Sequence, residues 1–201
     1  MKIILIFLTS LIVLFFLFQI YVMLFNKTET QKYTVEKTIN KIEIRHYPSV
    51  TLATISSSAK TYKVLANSGF RKLAGFIFGG NASNVRIAMT SPVHLDINDS
   101  QSTMSFVMPS GYTKDNLPKP NDTEVTFQST SDEYVAVIQF GGYASDKAIQ
   151  LYSKQLEEEL TKVAIPFYGH FRLLGYNPPY QLFGRRNEII VSVNWDTTLS
   201  K

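Results

Sequence analysis

The sequence predicts an α+β domain carried behind one N-terminal membrane span. Three observations point to it: a charge-free apolar run at the start, an alternation of strand-like and helix-like stretches after it, and the recurrence of that alternation in the same order.

Residues 3–25 carry no charge, and only Thr9, Ser10 and Gln19 are distinctly polar. As a helix this run reaches about 35 Å, enough to cross the hydrocarbon core with some tilt. It ends in the bulky residues Tyr21, Val22, Met23, Leu24 and Phe25 rather than in the small residues of a cleavage site. Residues 1–25 are therefore read as an uncleaved transmembrane anchor. Lys2 precedes the run, and Lys27 and Lys32 follow it beside Glu29. The reading adopted is a single-pass membrane protein with its N-terminus inside and its domain on the non-cytoplasmic side. Residues 26–32, N-K-T-E-T-Q-K, read as a linker and 33–196 as the domain, with 197–201 a polar tail. Four sequons begin at Asn26, Asn81, Asn98 and Asn121, available to glycosylation only on a secretory route.

Within the domain, residues 33–47 and 50–57 read as strands around the Pro48-Ser49 turn. Residues 60–78 place Tyr62, Leu65, Gly69, Leu73 and Phe76 at helical spacing, and Gly79-Gly80 is a natural stop. Residues 85–95 and 103–109 read as two further strands. The second half follows with strands at 123–129 and 134–140, a helix at 145–163, then strands at 167–176 and 188–195. Its helix carries Ile149, Tyr152, Leu156, Leu160 and Val163 on one stripe and turns Glu157, Glu158 and Glu159 largely to water. Each half thus reads ββαββ, offset by roughly 84 residues, with Pro92 and Pro178 at similar points and residues 111–121 joining them. The expected architecture is a pseudo-twofold pair of such units forming an eight-stranded, antiparallel, distorted barrel flanked by two helices.

Composition narrows the chemistry. In 201 residues the formal net charge is +4, and the basic residues are scattered, so nucleic acid is not an expected partner. The chain has no cysteine, which excludes disulfides, thiolate catalysis, iron–sulfur clusters and covalent c-type haem attachment. No Walker A loop, G-x-S-x-G elbow, H-E-x-x-H or EF-hand is present, so no enzyme activity is expected.

Three histidines remain, His46, His94 and His170. In I-E-I-R-H-Y, strand alternation puts Ile42, Ile44 and His46 on one face and Glu43, Arg45 and Tyr47 on the other. A neutral imidazole on an apolar face can donate an axial nitrogen to haem iron, though a lone strand histidine is more often a hydrogen-bonded core or rim residue. Arg71, Lys72, Arg86, Arg185 and Arg186 are the cations suited to a carboxylate such as a haem propionate, and each reads equally as a solvated or surface-paired charge. Met89, Met104 and Met108 read as core.

Taken in order, Y-T-V-E-K, I-E-I-R-H-Y-P, G-F-R-K-L-A-G-F-I-F-G-G-N, I-A-M-T-S-P-V, F-V-M-P-S, L-P-K-P-N-D, Q-F-G-G-Y, G-Y-N-P-P and G-R-R-N-E-I resemble the motifs of the SOUL haem-binding proteins across residues 33–195. The usual M-T-A-P-V is varied here by Ser91. The resemblance implies a pseudo-symmetric barrel with two helices and non-covalent binding of haem, or of metal-free porphyrin, in a shallow apolar cleft. It implies an axial role for His46, the only metal contact expected, made through haem iron. It also implies a cleft at Ile42, Ile44, Leu65, Phe70 and Leu73, and a leading propionate role for Lys72. The expected function is a membrane-anchored carrier, buffer or sensor of tetrapyrrole. The alternative is an effector-binding or protein-interaction module that uses the same cleft for another hydrophobic ligand.

Overall fold

The computed structural model describes residues 2–25 and 28–195. The tail at 197–201 and the sequon at Asn26 lie outside the described residues. A helix α1 (Lys2–Phe25) is followed by strands β1 (Glu29–Thr30), β2 (Thr34–Ile39), β3 (Ile42–Tyr47) and β4 (Thr51–Ser57), then helix α2 (Tyr62–Ile77). Strands β5 (Thr90–Ser91), β6 (Val93–Asp96), β7 (Ser102–Val107), β8 (Thr126–Ser129) and β9 (Glu133–Phe140) come next. Helix α3 (Asp146–Lys162) and strands β10 (Phe167–Gly175) and β11 (Asn187–Val193) complete the order.

Local chemistry accounts for the helix ends. Thr61 caps α2 by accepting from the Val64 amide, and Ser145 caps α3 by accepting from the Ala148 amide. Asp146 in the first turn of α3 and Lys162 in its last complement the helix dipole. Of the expected apolar stripes, Leu65, Gly69, Leu73 and Phe76 on α2 and Leu156 and Leu160 on α3 are buried, while Tyr62, Ile149 and Tyr152 pack half-buried against the same core and Val163 is half-buried at the end of α3. A Cβ at Gly69 would lie 2.8 Å from the terminal methyl of Ile55 and 3.1 Å from Met104 Sδ, so a larger residue there would have to push these side chains aside.

Nine strands form one antiparallel sheet in the linear order β2-β3-β9-β11-β10-β6-β7-β4-β8. That is one strand more than expected, with no ladder joining β2 to β8 among the described residues. Outward from the central β10–β6 pair, β11, β9 and β3 on one side correspond in place to β7, β4 and β8 on the other. Helix α2 packs on β4 and β7, and α3 packs on β9, β10 and β11. The main core lies between the helices and this face of the sheet, where Ile42, Ile44, Ile55, Phe106, Leu173 and Ile189 are buried.

Two strand boundaries differ from the sequence reading. Residues 33–47 are a hairpin rather than one strand, because the chain reverses at Asn40-Lys41 with Asn40 at φ 52°, a left-handed conformation that asparagine tolerates. Residues 85–95 yield only β5 and β6, split at Pro92, which has no N–H to give a ladder. Strand β5 pairs in parallel with β1. Residues 29–31 are therefore fastened to the domain: Gln31 donates its backbone N–H to the Ser91 carbonyl at 2.8 Å, and Ser110 N donates to Glu29 Oε1 at 3.0 Å. Asn81 is buried, and its amide nitrogen donates to the carbonyls of Phe76 and Val85, so this sequon is spent on packing.

Candidate ligand-binding site

Strand β3 separates two unlike environments. On the helix side Ile42 and Ile44 are fully buried, and His46, further along the strand toward its end, is left half-buried with a side-chain exposure of 27%. Its ring lies 4.9 Å from the Tyr134 ring on β9, and its Nε2 is 3.4 Å from Oδ2 of the exposed Asp132. Asp132 and Tyr134 belong to the wall of an open cavity of about 340 Å³ at the end of β9, β10 and β11, completed by Glu133, Tyr168, Val193 and Trp195. The volume falls at the low end for a small-molecule site. Glu133 is neutralised by a two-pronged contact from Arg172, at 3.1 and 2.8 Å. The indole N–H of Trp195 is buried and has no hydrogen-bond partner among the described residues, and Lys37 Nζ lies 6.0 Å from its ring centre. An orphaned donor beside an ammonium group is a natural place for a carboxylate.

On the other side of the same strands, Arg45 is 2% exposed, although strand alternation marked it only as the face opposite Ile42 and Ile44. It donates to Glu188 Oε2 at 3.0 Å and to the Tyr47 hydroxyl at 3.2 Å. Glu188, fully buried on β11, also accepts from the Tyr176 hydroxyl at 2.7 Å and from Arg186 Nε at 2.9 Å. Burial works against the charge of Arg45, but Glu188 and then Tyr47 outweigh it and hold the guanidinium above its ordinary value. Burial, then the Glu188 carboxylate, pushes the Tyr176 phenol up. This network was missed in the sequence because Arg45 and Glu188 stand 143 residues apart, and only the β3-β9-β11 order brings them together.

The remaining candidates scatter. Leu65 and Leu73 are fully buried with Ile42 and Ile44, so these four form part of the packed core. Phe70 is exposed on α2, edge-on to Phe106 at 5.4 Å. Lys72 is paired with Glu124, while Arg71 and Arg86 are exposed. Arg185 binds the carbonyls of Pro178 and Gln181 and stacks on Tyr143, and Arg186 is committed to Glu188 and to the Tyr33 hydroxyl. His94 donates from Nε2 to Gln31 Oε1 at 2.8 Å, and burial, with Arg172 adding to it, pushes its imidazole down to about 3. It is therefore a neutral packing residue. His170 is exposed, 3.7 Å from Asp96. Met104 and Met108 are core, as expected.

A sheet carrying two helices, with an aromatic cavity at one end and no cluster of three or more metal-ligating side chains among the described residues, defines a small α+β ligand-binding domain. The model of the SOUL heme-binding protein family matches residues 28–192, and the chain belongs to that family. Mouse heme-binding protein 2 is 28% identical over 155 residues, covering 73% of this chain and 75% of that protein. Mouse heme-binding protein 1 is 26% identical over 178 residues, covering 83% and 93%. The family and these relatives are named for binding rather than catalysis. Among solved structures, the C-terminal domain of EcmrR shares the fold at 8% identity with a TM-score of 0.60, over 82% of this chain and 99% of that one. A hydrolase from Listeria innocua does so at 8% identity with a TM-score of 0.51, over 79% and 94%.

Proposed function

We propose that this protein binds haem or a related tetrapyrrole non-covalently and holds it at a membrane surface, as a carrier, buffer or sensor. The observation that carries the reading is the conjunction of family membership with the open cavity beside His46, which combines flat aromatic walls with an unpaired buried donor. Haem, if bound here, would supply an iron that a histidine imidazole can ligate. His46 is the histidine suited to that role, because its one polar side-chain contact among the described residues is a long one to exposed Asp132, which is cheaply given up. Tyr134 and Tyr168 provide the apolar wall, and the Trp195 N–H and Lys37 the carboxylate contacts. Helix α1, apolar from Ile3 onward with a mean hydropathy of 2.9 over its most apolar 18 residues, is the membrane anchor in this reading, with the domain on the non-cytoplasmic side. The corresponding places of the strands about β10–β6 favour two related ββαββ units as the frame.

Titration of the detergent-solubilised full chain with haemin and with metal-free protoporphyrin tests the proposal. Saturable binding of both is expected. Trp195→Phe should weaken both several-fold, since a carboxylate contact does not sense the iron. Failure to bind either ligand overturns the reading. A second reading, a site for another flat amphipathic ligand, is favoured by the commitment of Lys72, Arg185 and Arg186 to partners within the protein. Binding of metal-free porphyrin as tight as that of haemin would favour it.

A further inference from the structure

Helix α1 does not simply lead into the domain. Among its described residues the buried ones are Gln19, at 6% exposure, and Val22, at 5%, one turn apart on the side that faces the segment after β10. Gln19 Nε2 donates to the Tyr180 carbonyl at 3.2 Å, and Gln19 Oε1 accepts from the Leu182 backbone N–H at 3.0 Å. A Cβ built on Gly184 would touch Met23 Sδ at 3.4 Å. The amide of Gln19 is thus satisfied by the loop backbone, which removes the several kcal/mol that an unpaired polar group costs in hydrocarbon.

The loop itself is built inside out. Its polar groups turn inward: Gln181 is buried and donates to the Phe183 carbonyl at 2.9 Å, Asn177 donates to Gln181 Oε1 at 3.0 Å, and Arg185 clamps the carbonyls of Pro178 and Gln181 from its stack on Tyr143. Its apolar side chains turn outward, with Tyr180 at 53% exposure, Leu182 at 40% and Phe183 at 55%. A rigid, internally bonded loop that presents aromatics to its surroundings, next to a lipid-length helix, matches the aromatic belt at a membrane boundary.

The lengths agree. Residues 3–18 of α1 are exposed all round and span about 24 Å. A hydrocarbon core of about 30 Å therefore extends roughly 6 Å past Gln19, to the level of Met23. Leu182, bonded to Gln19, and Gly184, against Met23, bracket that stretch of the helix.

We propose that the loop at residues 178–184 is a second membrane contact, which sets Tyr180, Leu182 and Phe183 into the boundary of the bilayer that α1 crosses and fixes the domain's orientation on it. The proposal rests on reading α1 as a span, and the test separates the two. The natural chain has no cysteine, so single nitroxide labels can be placed in the full chain at Phe183→Cys, Leu182→Cys, Leu14→Cys and Lys63→Cys. The labelled chains are reconstituted in phosphatidylcholine/phosphatidylglycerol vesicles, and relaxation by oxygen and by a water-soluble nickel chelate is compared. Labels at 182 and 183 should be several-fold less accessible to nickel than the label at 63, and shallower than the label at 14. Nickel accessibility at 182 and 183 equal to that at 63, with 14 protected, overturns the loop contact and leaves the anchor standing. A label at 14 as accessible as that at 63 removes the span, and the loop proposal with it.

Discussion

The two faces of strand β3 carry the same kind of residue pattern and do opposite things. Toward the helices, Ile42 and Ile44 disappear into the core and His46 ends up at an open aromatic rim. Away from the helices, Arg45 and Tyr47 join Glu188, Arg186 and Tyr176 in a closed, fully satisfied network. On the proposed reading, polarity along a strand does not mark the ligand face; whether a partner already occupies the group does. The charged face is saturated, while the nearly apolar face keeps a loosely held imidazole nitrogen at His46 and lies beside the unpaired indole N–H of Trp195 among the described residues.

Breaking the saturated face should have the largest effect. Glu188→Ala removes the fully buried carboxylate from the network, leaving Arg45 to Glu43 and Arg186 to the Tyr33 hydroxyl, and takes the Glu188 acceptor from the Tyr176 hydroxyl. A destabilisation of about 3–5 kcal/mol is expected in chemical denaturation of the detergent-solubilised chain. Combining it with Arg45→Met should cost less than the two single changes added together, because neither then leaves a buried charge without its partner. Additive losses would show that the two residues act independently.

Next in size is a pH effect from the same interior side, where His94 stands opposite Leu174 and donates to Gln31. Its folded pKa, near 3, lies below the ordinary 6.5, so the unfolded chain takes up a proton first as pH falls. Stability from this group is fully present above pH 6.5 and is lost as pH falls from there toward 3, by at most about 1.4 kcal/mol per pH unit. Denaturation midpoints between pH 7 and 5 should show that slope, and His94→Gln should flatten it. An unchanged slope in the variant would assign the pH dependence to other groups.

The smallest effect is expected at Lys72. Its ammonium is already paired with Glu124 on the surface, so Lys72→Ala should change stability by less than about 1 kcal/mol and leave haemin affinity within the error of the titration. A several-fold loss for haemin and metal-free porphyrin alike would return Lys72 to the site and move the cleft to α2.

Most of the secondary structure was legible because periodicity and capping act locally. Ser145 and Val163 flank α3 at the ends read from sequence, and the buried stripes of both helices are the apolar ones. Errors arose where a single residue redirected the chain, at Asn40 in the β2–β3 hairpin and at Pro92 between β5 and β6. The site was less legible. His46 was marked by alternation, but the Trp195 donor, the Lys37 contact and the cavity depend on which strands are neighbours, and no short-range spacing encodes that. Gln19 stood out as a polar residue in the span, yet its meaning depended on a loop 161 residues away.

The central claim, that the open face at His46 is the ligand face, is tested most directly by parallel titrations of the full chain and its His46→Ala variant with haemin and metal-free protoporphyrin. The account predicts a shifted Soret band and weaker haemin binding in the variant, with porphyrin binding almost unchanged, because only haem presents an iron to the imidazole. An unaltered haemin spectrum and affinity in a variant that remains folded would contradict it.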